Sequence, residues 1–319
     1  MKRVFITGIA GFIGFHLALF LKERGDFVTG CDNFNAYYDP ALKHARVELL
    51  KEKGISVLEC DICNTSKIEE IVKNEEITHF VHLAAQAGVR HSLFHPESYV
   101  HSNLDGFVKI IELVRCYPSM KFIYASSSSV YGHNEKIPFA ETDPCERPAN
   151  LYGATKKTNE LVAYSYHHLY GLSVTGLRFF TVYGPWGRPD MATFSFTRAI
   201  LNGETIQVYN HGKMKRDFTY IDDIVKGTAA AIDLGAPCEI FNLGNNHPEE
   251  LLSLISIIEK ETKKPAKVHL LPMQPGEVLT TYADISKSQK MLGFAPSISL
   301  AEGMSRFIAW YKTYYESAT

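Results

Sequence analysis

The chain has 319 residues, of which 45% are hydrophobic and 21% charged, with 22 Gly and 14 Pro. These proportions are ordinary for a soluble globular protein, and they exclude a collagen-like, disulfide-scaffold or disordered chain. Because 33 Lys and Arg nearly balance 35 Asp and Glu, the composition indicates neither a nucleic-acid partner nor an anionic membrane. No apolar stretch approaches the roughly 20 residues that span a bilayer.

The N-terminal segment and the cysteines indicate a cytoplasmic protein. The apolar run stops at Thr7-Gly8, and no small-residue cleavage site follows it. The six cysteines are scattered through a long chain, which favours reduced thiols. Cys60 and Cys63 have the spacing of a zinc ligand pair, but no second pair follows. We therefore interpret them as structural and expect no metal site.

Strand and helix patterns alternate through the first part of the chain. The predicted strands are residues 2–6, 27–31, 57–60, 78–83 and 121–126, and the predicted helices are residues 12–23, 68–74 and 103–116. Such alternation predicts βαβ units and a Rossmann-type, doubly wound parallel α/β sheet with helices on both faces. Ligands of these sheets bind beyond the carboxyl ends of the strands.

The pattern changes beyond about Thr181, where a turn-rich stretch at residues 184–189 is followed by short strands and helices. We expect a first domain at residues 1–180, to which the segment at about 216–245 returns. Residues 181–319 are expected to form a smaller, mixed α/β C-terminal lobe.

A glycine-rich turn joins the first predicted strand to the first predicted helix. Gly8, Gly11 and Gly14 have the spacing Gly-x-x-Gly-x-x-Gly, and Phe12 and Ile13 open the helix. Glycines here let the backbone approach a pyrophosphate, which then meets free N–H groups and the positive end of the helix dipole. Many tight strand–helix turns bind nothing, so the signal depends on the strand before and the helix after.

Asp32 and Asn33 follow the second predicted strand. A carboxylate at this place accepts hydrogen bonds from the ribose hydroxyls of an adenosine and repels a 2′-phosphate, which favours NAD over NADP. A polar turn without a ligand is the alternative, and the glycines upstream make it less favoured.

Two further patterns suit catalysis. Tyr152 and Lys156 lie at positions i and i+4 of a predicted helix, where an ammonium, and an oxidised nicotinamide nearby, would lower the pKa of a phenol toward the range of a general base. Four serines, Ser126–Ser129, end the strand before it, where hydroxyls suit a sugar or an anion. Taken alone, the Tyr-Lys spacing also describes an exposed pair on a helix, and the serines also describe a serine-rich turn.

Together these residues resemble the extended short-chain dehydrogenase/reductase family over nearly the whole chain. The glycine turn, Asp32, the serines, Tyr152 and Lys156 appear in the family's order, as do His82-Leu83-Ala84-Ala85 and residues 216–223. The resemblance implies a tightly bound NAD on the first domain, a nucleotide-sugar substrate on the C-terminal lobe, and a homodimer.

The resemblance also implies a role for individual residues. Ser127 would be the catalytic hydroxyl, Tyr152 the general base, and Lys156 the residue that binds the nicotinamide ribose and tunes Tyr152. Besides Tyr152 and Lys156, the cofactor residues that it implies are Gly8, Gly11, Phe12, Ile13, Gly14, Asp32, Asn33, Asp61, Ile62, Leu83, Ala84, Ala85 and Asn103.

The residues after Ser127 bear on the reaction. Family members that are 4,6-dehydratases carry Asp-Glu there, and UDP-glucuronate decarboxylases resemble Ser-Glu-Val-Tyr-Gly, whereas residues 127–132 read Ser-Ser-Ser-Val-Tyr-Gly. Without an acid near the sugar's C5, the remaining chemistry is oxidation at C4 to a 4-keto sugar and return of the hydride to the opposite face. That reaction is a 4-epimerisation without net redox change.

Substrate identity depends on fewer residues. Residues 177–192 look very similar to the corresponding segment of UDP-glucuronate 4-epimerases, which implies conversion of UDP-glucuronate to UDP-galacturonate. Ser128, Ser129 and Thr181 suit hydrogen bonds to a carboxylate at C6.

Arginines suit the diphosphate of the nucleotide because their planar donors match its oxygens. Arg188 and Arg216 are the main candidates and Arg90 a weaker one, whereas Gln274 stands where the family has an arginine. Three alternatives stay open: a 4-epimerase of UDP-glucose or UDP-N-acetylglucosamine, a UDP-glucuronate decarboxylase, and an NAD-binding sensor without catalysis. The sensor ranks lowest because Tyr152 and Lys156 are both present.

Overall fold

The computed structural model describes residues 1–316, and a seven-stranded parallel sheet forms its centre. The strands lie in the spatial order β3 (Ser56–Glu59), β2 (Phe27–Asp32), β1 (Arg3–Thr7), β4 (His79–His82), β5 (Lys121–Ser127), β6 (Ser173–Phe179) and β10 (Cys238–Leu243). The order reverses between β1 and β4, where a crevice opens at the carboxyl ends of the strands. The predicted Rossmann-type α/β fold is confirmed.

Helices cover both faces of the sheet. They are α1 (Phe12–Glu23), α2 (Ala41–Glu52), α3 (Thr65–Asn74), α4 (Pro96–Tyr99), α5 (Gly106–Arg115), α6 (Leu151–Tyr170), α7 (Ala192–Asn202), α8 (Ile221–Leu234), α9 (Leu251–Thr262), α10 (Ser286–Leu292) and α11 (Leu300–Glu316). One buried apolar cluster contains residues of α3, α5 and α6, and the other contains residues of α1 and α8. No helix in the described part of the chain is long and apolar enough to cross a membrane.

The remaining strands form two small sheets next to the second cluster. Strands β7 (Thr181–Tyr183), β9 (Lys215–Tyr220) and β11 (Pro248–Glu250) form one, and β8 (Thr205–Val208) pairs with β12 (Lys267–Leu270) in the other. Residues of α7, α9 and α11 belong to the same apolar cluster as α1 and α8. The C-terminal segments therefore share one core with a face of the large sheet, which fixes them beside its carboxyl edge.

Helix α2 and the start of α5 are two places where the structure differs from the sequence-based predictions. Sequence periodicity does not predict α2, because two of its inward-facing, buried residues are the cations Lys43 and Arg46 and its apolar period is therefore weak. The predicted helix at residues 103–116 is preceded by a π-helical segment, Val100–Asp105, and α5 itself begins at Gly106. π-Helical segments of this kind occur frequently at functional sites.

Candidate functional site

A cleft lies over the carboxyl edge of the large sheet, at the point where the strand order reverses, and we call it the switch-point cleft. Most of the predicted cofactor residues line it. They are Gly8, Gly11, Phe12, Ile13, Gly14, Asp32, Asn33, Ile62, Leu83, Ala84, Ala85, Tyr152 and Lys156. The register of the sheet explains this convergence, since Thr7 of β1 lies opposite Cys31 of β2 and His82 of β4.

The glycine turn leaves no room for side chains. Gly8 has a φ of 72°, and a Cβ there would lie 2.8 Å from the backbone nitrogen of Ala84. A Cβ at Gly14 would clash with the carbonyl oxygen of Gly8. Gly11, the N-cap of α1, provides no capping side chain, so the first N–H groups of the helix are free for an anion. This cradle fits the pyrophosphate of a dinucleotide.

Asp32 ends β2 with its two carboxylate oxygens in different environments. Oδ1 accepts hydrogen bonds from the Phe34 amide at 2.9 Å and from the Lys43 ammonium at 2.9 Å, and both charged side chains are buried. Within residues 1–316, Oδ2 has no hydrogen-bond partner, so it can accept hydrogen bonds from a ribose. Lys43 lines the same cleft, although no sequence pattern indicates it as a site residue.

Asp61 lies behind the lining of the cleft and supports it. Its Oδ2 accepts a hydrogen bond from the side-chain Nδ2 of Asn33 at 2.9 Å, and its Oδ1 accepts one from the backbone N–H of Cys63 at 2.9 Å. Burial favours a raised pKa for Asp61, but these hydrogen bonds outweigh it and lower the pKa.

Asp61, Cys63 and His101 bring three possible metal-ligating atoms within 4.8 Å of one another. Burial raises the pKa of Cys63 to about 12, which keeps a proton on the thiol at neutral pH. Asp61 already accepts the two hydrogen bonds just described. The expectation that the protein has no metal site stays a prediction.

Asn103 also stands behind the cleft. Its Oδ1 accepts a hydrogen bond from the Gln86 amide at 2.8 Å, while its Nδ2 donates to the Gln86 carbonyl and to Thr155 Oγ1, each at 3.0 Å. Thr155 precedes Lys156 on α6. Asn103, carried by the π-helical segment, therefore ties the chain that follows β4 to the helix with the Tyr-Lys pair.

Tyr152, which is half-buried, and Lys156, which is buried, lie one turn apart on α6, near the end of β5. Lys156 Nζ donates to the Ala125 carbonyl at 2.8 Å, and burial lowers the pKa of Lys156 to about 8. Burial raises the pKa of Tyr152, although a hydrogen bond with Ser127 and the charge of Arg188 act in the opposite direction. For the protein chain by itself, burial thus outweighs the charges around the phenol. The lowering of the Tyr152 pKa that is expected with a bound oxidised nicotinamide stays a prediction.

The serines at the end of β5 have two different roles, one in the core and one in the site. Ser126 Oγ donates to the buried carboxylate of Glu160 at 2.6 Å, and Glu160 forms a bidentate ion pair with Arg178. Ser127 Oγ accepts a hydrogen bond from the backbone of Ser129 at 3.2 Å, which shapes the short helical turn after β5. The hydroxyl of Ser126 therefore stabilises the core, while Ser127 and its successors face a second cavity.

This second cavity, the lobe cavity, lies between the end of β5 and the small sheets. The predicted substrate residues that line it are Arg90, Ser127, Ser128, Ser129, Thr181, Arg188 and Arg216. Tyr152, Ser127 and Arg188 line both the switch-point cleft and the lobe cavity, so the two spaces meet at these side chains. Gln274 lies outside both linings, and its Oε1 is buried without a hydrogen-bond partner among the described residues.

The arginines of the lobe cavity are held by carboxylates. Glu277 binds Arg216, with 3.0 Å between Nη2 and Oε2, and Arg90, with 3.4 Å between Nε and Oε1. Two cations thus share one anion, which leaves net positive charge at this end of the cavity. No sequence pattern indicates Glu277 as a site residue, since its contacts join segments far apart in sequence.

Arg188 stands apart from that cluster, at the junction of the two cavities. It forms a bidentate ion pair with Asp190, at 2.5 and 3.0 Å, and its guanidinium lies over the ring of Tyr37, 5.6 Å from the centroid. The Tyr37 hydroxyl donates to Asp190 at 3.0 Å. Tyr37 follows β2 and Asp190 follows β7, so the hydrogen bond closes the space between the large sheet and the lobe.

Comparisons with known proteins agree with this geometry. The sequence profile of the "NAD dependent epimerase/dehydratase family" matches residues 4–244. UDP-glucuronate 4-epimerase 4 of Arabidopsis thaliana is 49% identical over 330 residues, which cover 98% of this chain and 76% of that protein.

Two solved structures have the same fold. UDP-glucuronic acid 4-epimerase from Bacillus cereus, in complex with UDP-glucuronic acid and NAD, has a TM-score of 0.92 and 34% identity, covering 98% of this chain and 100% of that chain. UDP-glucose 4-epimerase from Thermotoga maritima, with UDP-glucose, has a TM-score of 0.90 and 29% identity, covering 98% and 99%. The chain belongs to the NAD dependent epimerase/dehydratase family.

Proposed function

We propose that the protein is an NAD-dependent UDP-glucuronate 4-epimerase that interconverts UDP-glucuronate and UDP-galacturonate. The observation that carries the proposal is the position of Tyr152, which lines both the switch-point cleft and the lobe cavity. A dinucleotide in the cleft and a nucleotide sugar in the cavity therefore meet at one phenol. The relatives named UDP-glucuronate 4-epimerase support the substrate.

The residues at this junction have complementary tasks. NAD, when bound, supplies the acceptor and donor of the hydride at C4. Tyr152 removes the proton of the 4-hydroxyl and later returns one, and Ser127, which lines both spaces together with Tyr152, orients that hydroxyl. Lys156, buried beside them, provides the positive charge that favours the phenolate.

The lobe cavity favours an epimerase over a decarboxylase. The carboxylates among its described lining residues are Asp190 and Glu277, and each is paired with arginine. Neither is a free base for chemistry at C5. A 4-keto uronic acid is a β-keto acid that loses carbon dioxide readily, so holding its carboxylate in a fixed orientation protects it. Ser128, Ser129 and Thr181 supply hydroxyls for that task.

The other arginines fit the remainder of the substrate. Arg90 and Arg216 converge on Glu277, and their net positive charge suits the diphosphate. Residues 1–180, with the segment at about 216–245, form the NAD-binding domain of this proposal, and residues 181–319 form its UDP-sugar lobe.

We also propose a homodimer in a reducing compartment such as the cytoplasm. Helices α5 and α6 expose apolar side chains, namely Val108, Leu161, Tyr164 and Leu169, which a second copy would cover. All six cysteines are free thiols, as expected where disulfides do not persist.

NMR of the purified protein with UDP-glucuronic acid, and without added NAD, tests the function. UDP-galacturonic acid without UDP-pentose is the expected product, and it requires NAD to be retained from expression. UDP-xylose or its 4-keto precursor would contradict the epimerase assignment. Turnover of only UDP-glucose or UDP-N-acetylglucosamine would leave the C4 mechanism in place and contradict the uronic acid substrate.

A further inference from the structure

The adenosine end of the switch-point cleft contains a buried ion pair. Lys43 Nζ lies 2.9 Å from Asp32 Oδ1, and both residues are only 6% exposed. Both line the cleft. Asp32 is the residue expected to select NAD, so a cation in contact with it bears directly on cofactor choice.

Lys43 is the cation of α2 that faces the cleft. Arg46, one turn further along the helix, donates instead to the carbonyls of Ala10 and Trp186 and to the Tyr38 hydroxyl, and it is not a lining residue. Within residues 1–316, Lys43 has one charged partner, Asp32, and its Nζ also lies 5.7 Å from the centroid of the Tyr38 ring. Its charge is thus balanced by a single carboxylate.

This arrangement has opposite consequences with and without Asp32. With Asp32 present, Lys43 occupies Oδ1 and leaves Oδ2 free for ribose hydroxyls, while the carboxylate repels a 2′-phosphate. With the carboxylate removed, Lys43 becomes a buried cation without a partner, which is costly in a region of low polarity. A 2′-phosphate, with its double negative charge, supplies the missing counter-charge in the same place.

We propose that Lys43 is a second determinant of cofactor choice: it positions Asp32 for the ribose of NAD, and it binds the 2′-phosphate of NADP once the Asp32 carboxylate is gone. One substitution at Asp32 then converts the cleft from NAD to NADP. The inference rests on the proposed NAD binding and concerns which residues select the dinucleotide.

The experiment compares four proteins: the wild type, Asp32→Ser, Asp32→Ser with Lys43→Met, and Asp32→Ser with Lys51→Met. Lys51 lies on α2 with an exposed side chain and is the matched control. Each purified protein is equilibrated with an equimolar mixture of NAD and NADP and desalted, and its bound nucleotides are quantified by chromatography. Asp32→Asn, which preserves the size of the side chain, replaces Asp32→Ser if that variant does not fold.

The wild type is expected to retain NAD, and Asp32→Ser to raise the ratio of bound NADP to NAD at least about 100-fold, as expected when a charge-assisted contact replaces a repulsion. In the Asp32→Ser protein, adding Lys43→Met should lower the ratio of bound NADP to NAD at least about tenfold, whereas adding Lys51→Met should leave the ratio unchanged. If the wild type retains NAD but Asp32→Ser binds NADP equally well with and without Lys43→Met, the role of Lys43 is contradicted and the proposed function is not. A wild type that binds neither dinucleotide would contradict the proposed function as well.

Discussion

The switch-point cleft and the lobe cavity meet at Tyr152, but backbone forms a wall of the first and charged side chains form one end of the second. Backbone forms the wall of the cleft: the glycine turn packs against the chain after β4, and a Cβ at Gly8 or Gly14 has no space. Side chains form the charged end of the cavity, where Glu277 holds Arg90 and Arg216. The backbone wall of the cleft is rigid, whereas the ion pairs at the end of the cavity can exchange partners.

This difference matches what each space has to do in the proposed reaction. An epimerase returns the hydride that it removes, so its dinucleotide has no reason to leave, and a preformed backbone cradle suits a permanent ligand. The nucleotide sugar enters and leaves at every turnover. Arginines that already have a carboxylate partner are oriented before a diphosphate arrives, and they exchange one anion for another. Four predictions test this contrast.

Tyr152→Phe removes the group at which both spaces meet, so it should have the largest effect. Loss of a general acid–base is expected to lower kcat about 1,000-fold, within the range typical of such groups. Retained NAD should not change, because the backbone of the cleft is intact. Tyr170→Phe, on the exposed end of α6, is the control. Activity within tenfold of the wild type would contradict the role of Tyr152.

Gly14→Ala tests the rigidity of the cleft. The added Cβ clashes with the Gly8 carbonyl, and overpacking of this kind costs about 1–3 kcal/mol, so NAD affinity should fall about 10- to 100-fold. Bound NAD per chain, measured by chromatography, is the readout.

Gly203→Ala is the control for Gly14→Ala. Gly203 ends α7 with a φ of 69°, and no atom of the described part of the chain lies within 4 Å of an added Cβ. Alanine there should lower the free energy of unfolding by about 1 kcal/mol without loss of NAD. Equal loss of NAD from the two variants would mean that general destabilisation explains the loss, which would contradict a rigid glycine turn.

Arg216→Met tests the ion pairs of the lobe cavity. The substitution removes a charged contact to the diphosphate, so KM for the nucleotide sugar should rise about tenfold or more while NAD content stays constant. Steady-state kinetics give the result, and Arg198→Met, an exposed arginine on α7, is the control. An unchanged KM would place the diphosphate elsewhere.

The smallest expected effect is a dependence on pH. Burial lowers the pKa of Lys156 to about 8, so the ammonium is present below that pH and is lost above it. Because Tyr152 depends on this charge, kcat should fall about tenfold between pH 7 and pH 9. NAD content measured at each pH separates this effect from cofactor loss. A kcat that stays constant to pH 9.5 would contradict the role of the Lys156 charge.

Sequence patterns predicted those parts of the site in which neighbouring residues act together. Gly8, Gly11 and Gly14 lie in one turn, and Tyr152 and Lys156 lie one helical turn apart, so spacing alone indicates their common direction. The same patterns missed Lys43, because its helix buries cations among apolar residues and has no clear amphipathic period.

The sequence by itself determined the doubly wound sheet, the position of the dinucleotide cradle and the Tyr-Lys pair, because each depends on local periodicity and short spacings. Only the tertiary structure decided which charges face each other. Contacts such as Lys43 with Asp32, Glu277 with Arg216 and Tyr37 with Asp190 join separate elements. The packing of those elements decides also that burial, more than neighbouring charge, sets the pKa of Tyr152.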